Sequence, residues 1–303
     1  MDRSQERWVV YGRLARADLW WFPTGRRGEV AMKNGLLGMV ALGWLLVVSV
    51  RGDLIAYEGF DLTQGENALG SGAGATSSGW SGTWTATTVD VSPGLSYGSL
   101  ATVGGAARLD AANSGGFRNF ASSISGGTTW VSFIGVVSNT ASYAGFSIFN
   151  GFGNERIFVG DTSSGGNWGF QSPGLTPAFT TGVSSTNVSL LVLRVDWNAG
   201  VTNNEHVYLW VNPALGVEPD ILAADISLTT ANLNPAGASE VMTRVRIQQG
   251  GSSDNAVLDE IRIGTTWNDV SVVVPEPGAS ALMLVGFAMM GWLRGRSRRV
   301  VLS

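Results

Sequence analysis

Residues 189–197 read SLLVLRVDW and residues 206–211 read HVYLWV. Both runs are dense in β-branched and aromatic side chains, partly alternate apolar with polar, and are too short to be helices. Asn-Ala-Gly follows the first and Asn212-Pro213 the second, residues that end strands because they favour turns or lack a ladder donor. The same texture recurs outward in both directions, at 130–137 (WVSFIGVV), 146–149, 156–159, 240–248 and 257–263. Asn150-Gly151 supplies turn chemistry between 146–149 and 156–159.

Composition agrees with this pattern. Of 303 residues, 42 are Gly and 12 Trp, while charged residues are 14%; a helical bundle needs far more Ala, Leu, Glu and Lys. Strands at this spacing with no helical period between them predict an all-β fold, an antiparallel β-sandwich of jelly-roll type. Residues 62–107, rich in Gly, Ser, Ala and Thr, read as a softer region of long loops, with no separate domain. Formal net charge is −4 and the arginines gather at the two ends, so no basic stripe offers itself to nucleic acid. With no cysteine and one histidine, His206, thiol chemistry, Cys-ligated zinc and multi-imidazole sites are excluded. A body of this size needs no disulfide to be exported.

The two ends read as membrane segments. Residues 35–50 (GLLGMVALGWLLVVSV) follow Arg26, Arg27 and Lys33 and precede small residues, the layout of a secretory signal. The segment before Met32 is surplus to such a signal, which places the expected start of translation at Met32. Residues 1–31 are then a non-native or cytoplasmic leader and 32–56 a signal peptide, cut after Gly52 or Ala56. At the other end, Pro275-Glu276-Pro277 precedes an apolar run at 278–293, and Arg294, Arg296, Arg298 and Arg299 follow. That run predicts a C-terminal transmembrane helix of roughly 24 Å, slightly short for a bilayer core of about 30 Å. Positive flanks stay in the cytoplasm, and here they lie before the first apolar run and after the second. The intervening chain is therefore expected outside the inner membrane.

Pro-Glu-Pro, apolar helix and arginine cluster, in that order over about the last 30 residues, resemble the PEP-CTERM sorting signal. The resemblance implies recognition by an exosortase, a membrane-embedded cysteine transpeptidase-like enzyme that cleaves near the motif. It implies an inner-membrane anchored precursor delivered to the outer envelope or an extracellular polysaccharide matrix. Pro275, Glu276 and Pro277 would be the substrate motif, with Arg294, Arg296, Arg298 and Arg299 as stop and retention signal. The phrases YEGFD (57–61), GWSGTW (79–84), ERIFVGD (155–161), LWVNP (209–213) and LDEIRIGTTWNDV (258–270) resemble the concanavalin A-like, laminin G-like body of many PEP-CTERM proteins. In that fold the first and last strands lie side by side, so 57–60 is expected beside 258–263. The domain plan is 57–270 as sandwich, 271–277 as linker with the motif, and 278–303 as membrane helix and tail.

Catalytic readings fare poorly. Sandwich glycoside hydrolases present Glu-x-Asp-x-x-Glu on one strand, and no such run occurs. Asp259 and Glu260 are adjacent, so on a strand they point to opposite faces and cannot act as a pair. Glu205, beside a turn, and Glu240, opening a strand, read as solvated carboxylates. His206 has no orienting acid or nucleophile in a recognisable motif and reads as an edge or loop residue. A calcium ion, which laminin G-like and lectin-like sandwiches hold through loop carboxylates and carbonyls, would draw on Asp254, Asn255 and Asp259, joined by Asp61 if the termini pair; the competing reading is turn capping. Most tryptophans read as core, and Trp168, in GGNWGF, is the expected exposed platform for a sugar.

The sequence thus describes an exported, noncatalytic, lectin-like sandwich whose partners are an exosortase, the membrane and exopolysaccharide, with no nucleic acid. The rival is a divergent polysaccharide hydrolase or lyase using scattered carboxylates on the same fold; two facing acids between aromatic walls would favour it.

Overall fold

The computed structural model describes residues 54–272, apart from 73, 75, 139–141, 163–164, 174–177, 198–203, 232, 234–240 and 252–254. The expected leader, the apolar run at 35–50, the Pro-Glu-Pro motif, membrane helix and arginine tail lie outside these residues; of the expected signal peptide, 32–56, only Leu54, Ile55 and Ala56 are described, and they open the first strand, which a cut after Ala56 would shorten.

Among the described residues fifteen strands form two antiparallel sheets. In chain order they are β1 (Leu54–Glu58), β2 (Trp80–Thr87), β3 (Asp90–Pro93), β4 (Gly105–Leu109), β5 (Gly115–Ile124), β6 (Thr128–Val137), β7 (Ala144–Asn150) and β8 (Glu155–Asp161), then β9 (Asn167–Gln171), β10 (Phe179–Ser184), β11 (Ser189–Asp196), β12 (Glu205–Val211), β13 (Ile226–Ala231), β14 (Met242–Gln249) and β15 (Ala256–Gly264). A single-turn helix, α1 (Trp267–Val270), follows β15. The eight-stranded sheet runs β13-β12-β11-β6-β15-β4-β3, with β1 also pairing β15, and the seven-stranded sheet runs β10-β9-β8-β7-β14-β5-β2.

The seven apolar runs read from sequence are β6, β7, β8, β11, β12, β14 and β15. The first and last strands pair as expected, Ala56 opposite Ile263 and Glu58 opposite Ile261. Asn150-Gly151 opens the β7–β8 hairpin, where the Gly153 amide closes on the Asn150 carbonyl at 3.1 Å. The supposed soft region contains β2, β3 and most of the way to β4. Its strands escape a search for apolar runs because Ser, Thr, Gly and Ala fill them and tertiary pairing overrides propensity.

Alternation sends one face of each sheet inward, where Phe133, Leu191, Leu209 and Ile261 of the eight-stranded sheet meet Phe146, Ile157, Phe170 and Val245 of the seven-stranded one. One buried ion pair joins the layers inside this core. Arg118 of β5 reaches Glu58 of β1, whose carboxylate also accepts from Trp84 Nε1, Ser77 Oγ and the Phe60 amide, each at 2.9 Å. With both charges buried, the donors around Glu58 supply the solvation that water no longer does.

The outer face of the eight-stranded sheet is itself covered. Leu100, Trp130, Ile134, Leu190, Val192, Tyr208, Trp210, Trp267 and Val270 make a second apolar cluster. Residues 94–104 strap across it, and a β-bulge in β15 ties the strap down. Glu260 adopts φ +53, in the left-handed region, and pairing with β6 shifts register between Asp259 and Arg262. The expected opposition of Asp259 and Glu260 is therefore corrected: the bulge turns both carboxylates toward the strap. Asp259 accepts from the Leu95 amide at 2.7 Å; Glu260 accepts from the Val103 amide, from Tyr57 Oη at 3.0 Å and from Arg262 at 2.7 Å. Such a backbone costs of order 1–3 kcal/mol, and these bonds hold it in place. Glu205 is a second correction, since it is fully buried and accepts from the Leu233 amide at 2.8 Å. Glu240 lies outside the described residues.

Candidate functional site

Among the described residues no strap crosses the outward face of the seven-stranded sheet. On β14, Val245 and Ile247 point into the core, so Arg244, Arg246 and Gln248 point out. Register then builds the face row by row. Arg246 stands between Phe117 of β5 and Ser147 of β7, and Ser147 opposes Phe158 of β8, which opposes Gln171 of β9. In the next row Gln248 stands between Gly115 and Gly145, followed by Gly160 and Gly169.

Three successive glycines thus leave a trough with Phe158 and Tyr143 above it, the two rings meeting edge to face at 6.0 Å. Side chains are excluded here by the strands themselves. A Cβ on Gly145 would lie 2.3 Å from the Val159 carbonyl oxygen, and one on Gly160 2.3 Å from that of Ala144. A hollow of about 260 Å³ on the same face is lined by Tyr143, Glu155, Phe158, Gln171, Arg246 and Gln248 among others. It adjoins a second of about 240 Å³ that shares Tyr143, Arg246 and Gln248 and extends to Asn113 and Phe117. Together they form one polar groove with aromatic walls, the layout of a site that orients a ligand by a few fixed polar groups.

Glu155 organises the polar groups. It accepts from Arg246 at 3.1 Å, from Gln248 Nε2 at 3.1 Å and from Ser147 Oγ. Burial lowers the Arg246 guanidinium below its usual value, and the Glu155 charge opposes that shift. Among the described residues lining the two hollows, Glu155 is the only carboxylate. Hydrolysis of a glycosidic bond by the usual route takes two.

The expected site residues fare differently. Trp168 is corrected: it is fully buried, because on β9 it and Phe170 point inward while Gly169 faces the trough. Its ring crosses the interior to Gly135 of the opposite sheet, where a Cβ would lie 3.0 Å from it. The flanking glycines that suggested an exposed loop instead serve tight strand packing. Of the calcium set, Asp254 lies outside the described residues. Asn255 is exposed, and its carbonyl accepts from the Ser138 amide at 3.2 Å. Asp259 is buried four residues along the strand, roughly 13 Å away at strand rise, and committed to the Leu95 and Glu260 amides. Asp61 accepts from the Thr76 amide at 3.1 Å. Asn255 and Asp259 are not brought together, and among the described residues no group of three or more His, Asp or Glu converges as a metal site. His206 lies on β12, half-buried, 3.5 Å from Tyr208 Oη.

Arg244, Arg246, Gln248, Glu155, Tyr143 and Phe117 were not singled out from sequence. The available signal was MTRVRIQQ, in which Arg, Arg and Gln alternate with Val and Ile. Two arginines outside the terminal clusters, on one face of one strand, mark a sheet surface that does more than meet water.

No family model and no curated protein matches the chain. Solved structures that it resembles include an alginate lyase in complex with alginate trisaccharide, at 12% identity and TM-score 0.43 over 70% of this chain and 98% of that one. A pseudo beta-1,3-glucanase of Mycobacterium tuberculosis matches at 14% identity and TM-score 0.39 over 71% and 100%, and the globular domain of T. cruzi calreticulin at 13% and 0.40 over 62% and 85%. Likeness at this level assigns neither activity nor ligand to this chain.

Proposed function

We propose that the chain is an exported envelope or extracellular-matrix protein whose concanavalin A-like, laminin G-like jelly roll holds a polysaccharide segment without cleaving it. The observation that carries this reading is the uncovered groove on the seven-stranded sheet. Aromatic rings offer apolar faces to sugar C–H groups, and Arg246, Gln248 and Glu155, already bonded to one another, present fixed donors and acceptors to hydroxyls. A lone, fully engaged carboxylate suits binding rather than hydrolysis. Delivery rests on the sequence of the ends. The Pro275-Glu276-Pro277 motif would be cut by an exosortase while residues 278–293 hold the precursor in the inner membrane, with Arg294, Arg296, Arg298 and Arg299 on the cytoplasmic side.

Two measurements test the two halves. Mass spectrometry of the protein recovered from envelope and medium should find a mature N-terminus near residue 53 or 57 and a C-terminus near Pro277; intact ends or cytoplasmic recovery would refute the sorting. Affinity electrophoresis in gels containing extracted exopolysaccharide should retard the protein without shortening the polymer. Unretarded migration, or chain shortening with new reducing or unsaturated ends, would refute noncatalytic binding.

A further inference from the structure

Beyond Arg246, toward the β7–β8 hairpin, the same face carries a second guanidinium in a different setting. Arg244 Cζ lies 4.6 Å from the centre of the Phe117 ring and 5.1 Å from that of Phe149; Arg246 Cζ lies 5.4 Å and 4.8 Å from the same two rings. The rings meet edge to face at 5.3 Å, so two cations share one aromatic pair. Ring faces hold a guanidinium electrostatically but leave its charge in place. Glu155 neutralises Arg246. Among the described residues no carboxylate pairs with Arg244, and its Nε is buried without an acceptor.

Gly153, at the hairpin tip, abuts this guanidinium, since a Cβ there would sit in ordinary contact with it at 3.5 Å. The preceding residue in the hairpin, Phe152, is 73% exposed. Among the described residues around the Phe117 and Phe149 rings, two arginines stand with one glutamate, on a chain of net charge −4.

We infer that the groove is selective for an acidic polysaccharide, with Arg244 receiving a ring carboxylate of a uronate residue whose C–H face lies on an adjacent phenylalanine. A planar fork fits a carboxylate in two-point fashion, and a pyranose carrying that group has an apolar face to offer the ring. The inference rests on the polysaccharide-binding reading of the groove.

The test uses the full chain in detergent, titrated by calorimetry with polygalacturonate, with the same polymer after chemical reduction of its carboxyls, and with a sulfated glucan. The intact polyuronate should bind at least ~10-fold more tightly than its reduced form, with a preference that shrinks as salt rises. Arg244→Gln should abolish that preference while still binding the reduced polymer, and Arg244→Lys should restore only part of it. Equal affinity for intact and reduced polymer would overturn the acidic specificity and leave the groove standing. A sulfated glucan preferred to polyuronate would overturn the carboxylate assignment. Failure of all three polymers to bind would sink the groove reading itself. The reduced-polymer comparison needs no variant, so a misfolded Arg244→Gln protein does not blunt it.

Discussion

The two sheets obey the same alternation, yet their outer faces end differently. Outside the eight-stranded sheet, large apolar residues such as Trp130, Trp210 and Ile134 stand in rows and are buried again by residues 94–104, by α1 and by the loop carrying Leu215. Outside the seven-stranded sheet, glycines, arginines, Gln248 and the rings of Phe117, Phe149 and Phe158 stand in the matching positions, and no strap of described residues crosses them. A face composed of tryptophan and isoleucine demands a cover, because exposing it forfeits about 25 cal/mol per Å². A face of glycine, arginine and glutamine does not. The difference teaches that the composition of one outer face requires the fold to cover it, whereas that of the other does not, which is what the proposed ligand face needs.

The sharpest way to break the comparison is to strike the covered face. Trp130 stacks on Trp210 at 5.6 Å and meets Trp267 edge-on at 5.7 Å, with Arg194 over its ring. Trp130→Ala should cost about 3–5 kcal/mol of stability by denaturant unfolding, while the protein that remains folded binds polysaccharide as before. A loss of binding without loss of stability would mean that the covered face, and not the bare one, holds the ligand.

The strap over the covered face should also respond to pH. Burial pushes the Asp259 carboxyl up to about 8, the neighbouring Glu260 charge adding to a shift that the Leu95 and Glu260 amides only partly offset; Glu260 is raised as well, again chiefly by burial. A carboxyl raised on folding binds its proton more tightly in the native state. Its contribution is therefore fully present below the unfolded value of about 4 and is lost as pH climbs toward 8, at up to about 1.4 kcal/mol per unit for one proton. Denaturant midpoints should fall between pH 5 and 8, and amide exchange at Leu95 and Val103 should quicken. Asp259→Asn lowers stability at pH 5, since its NH2 group must face an amide N–H, and it should flatten the slope. A slope unchanged in this variant would show that Asp259 does not titrate there.

How much of this was legible follows from what each residue contributes locally. Runs such as SLLVLRVDW announce themselves, because burial on both sides of a strand demands unbroken apolar side chains, and all seven runs of this kind became strands. Trp80–Thr87 and Gly115–Ile124 carry little such signal. Their pairing is decided by the partner strand, and Gly82 at φ +76 and the register shift beside it break the period that a reader would count. Trp168 misled for the same reason, since glycines on either side look like a loop until the neighbouring strands show why Gly169 must lack a side chain. The bulge at Glu260 had no sequence signature at all, for glutamate seldom adopts positive φ, and the strap that holds it comes from about 160 residues away along the chain. The groove was half legible. The alternation of MTRVRIQQ gives its polar side, but only the register brings Glu155, Phe117 and Tyr143 to it.

The finest distinction between the faces lies in matched aromatic deletions. Phe117 is only half-buried and rests on Phe149 and the two arginines, so Phe117→Ala should cost about 1 kcal/mol, well below the Trp130→Ala loss. Its effect on ligand should be the larger one. Removing the ring leaves both guanidiniums with only Phe149 of their shared pair and strips a wall from the groove, so affinity for exopolysaccharide should drop roughly 10-fold, as one stacked contact is worth about 1 kcal/mol or more. Parallel melting and titration of the two variants would thus separate a residue that builds the sandwich from one that faces a partner. Should Phe117→Ala bind as tightly as the parent, the ring is ornament to the arginines, and the bare sheet loses its claim to be the site.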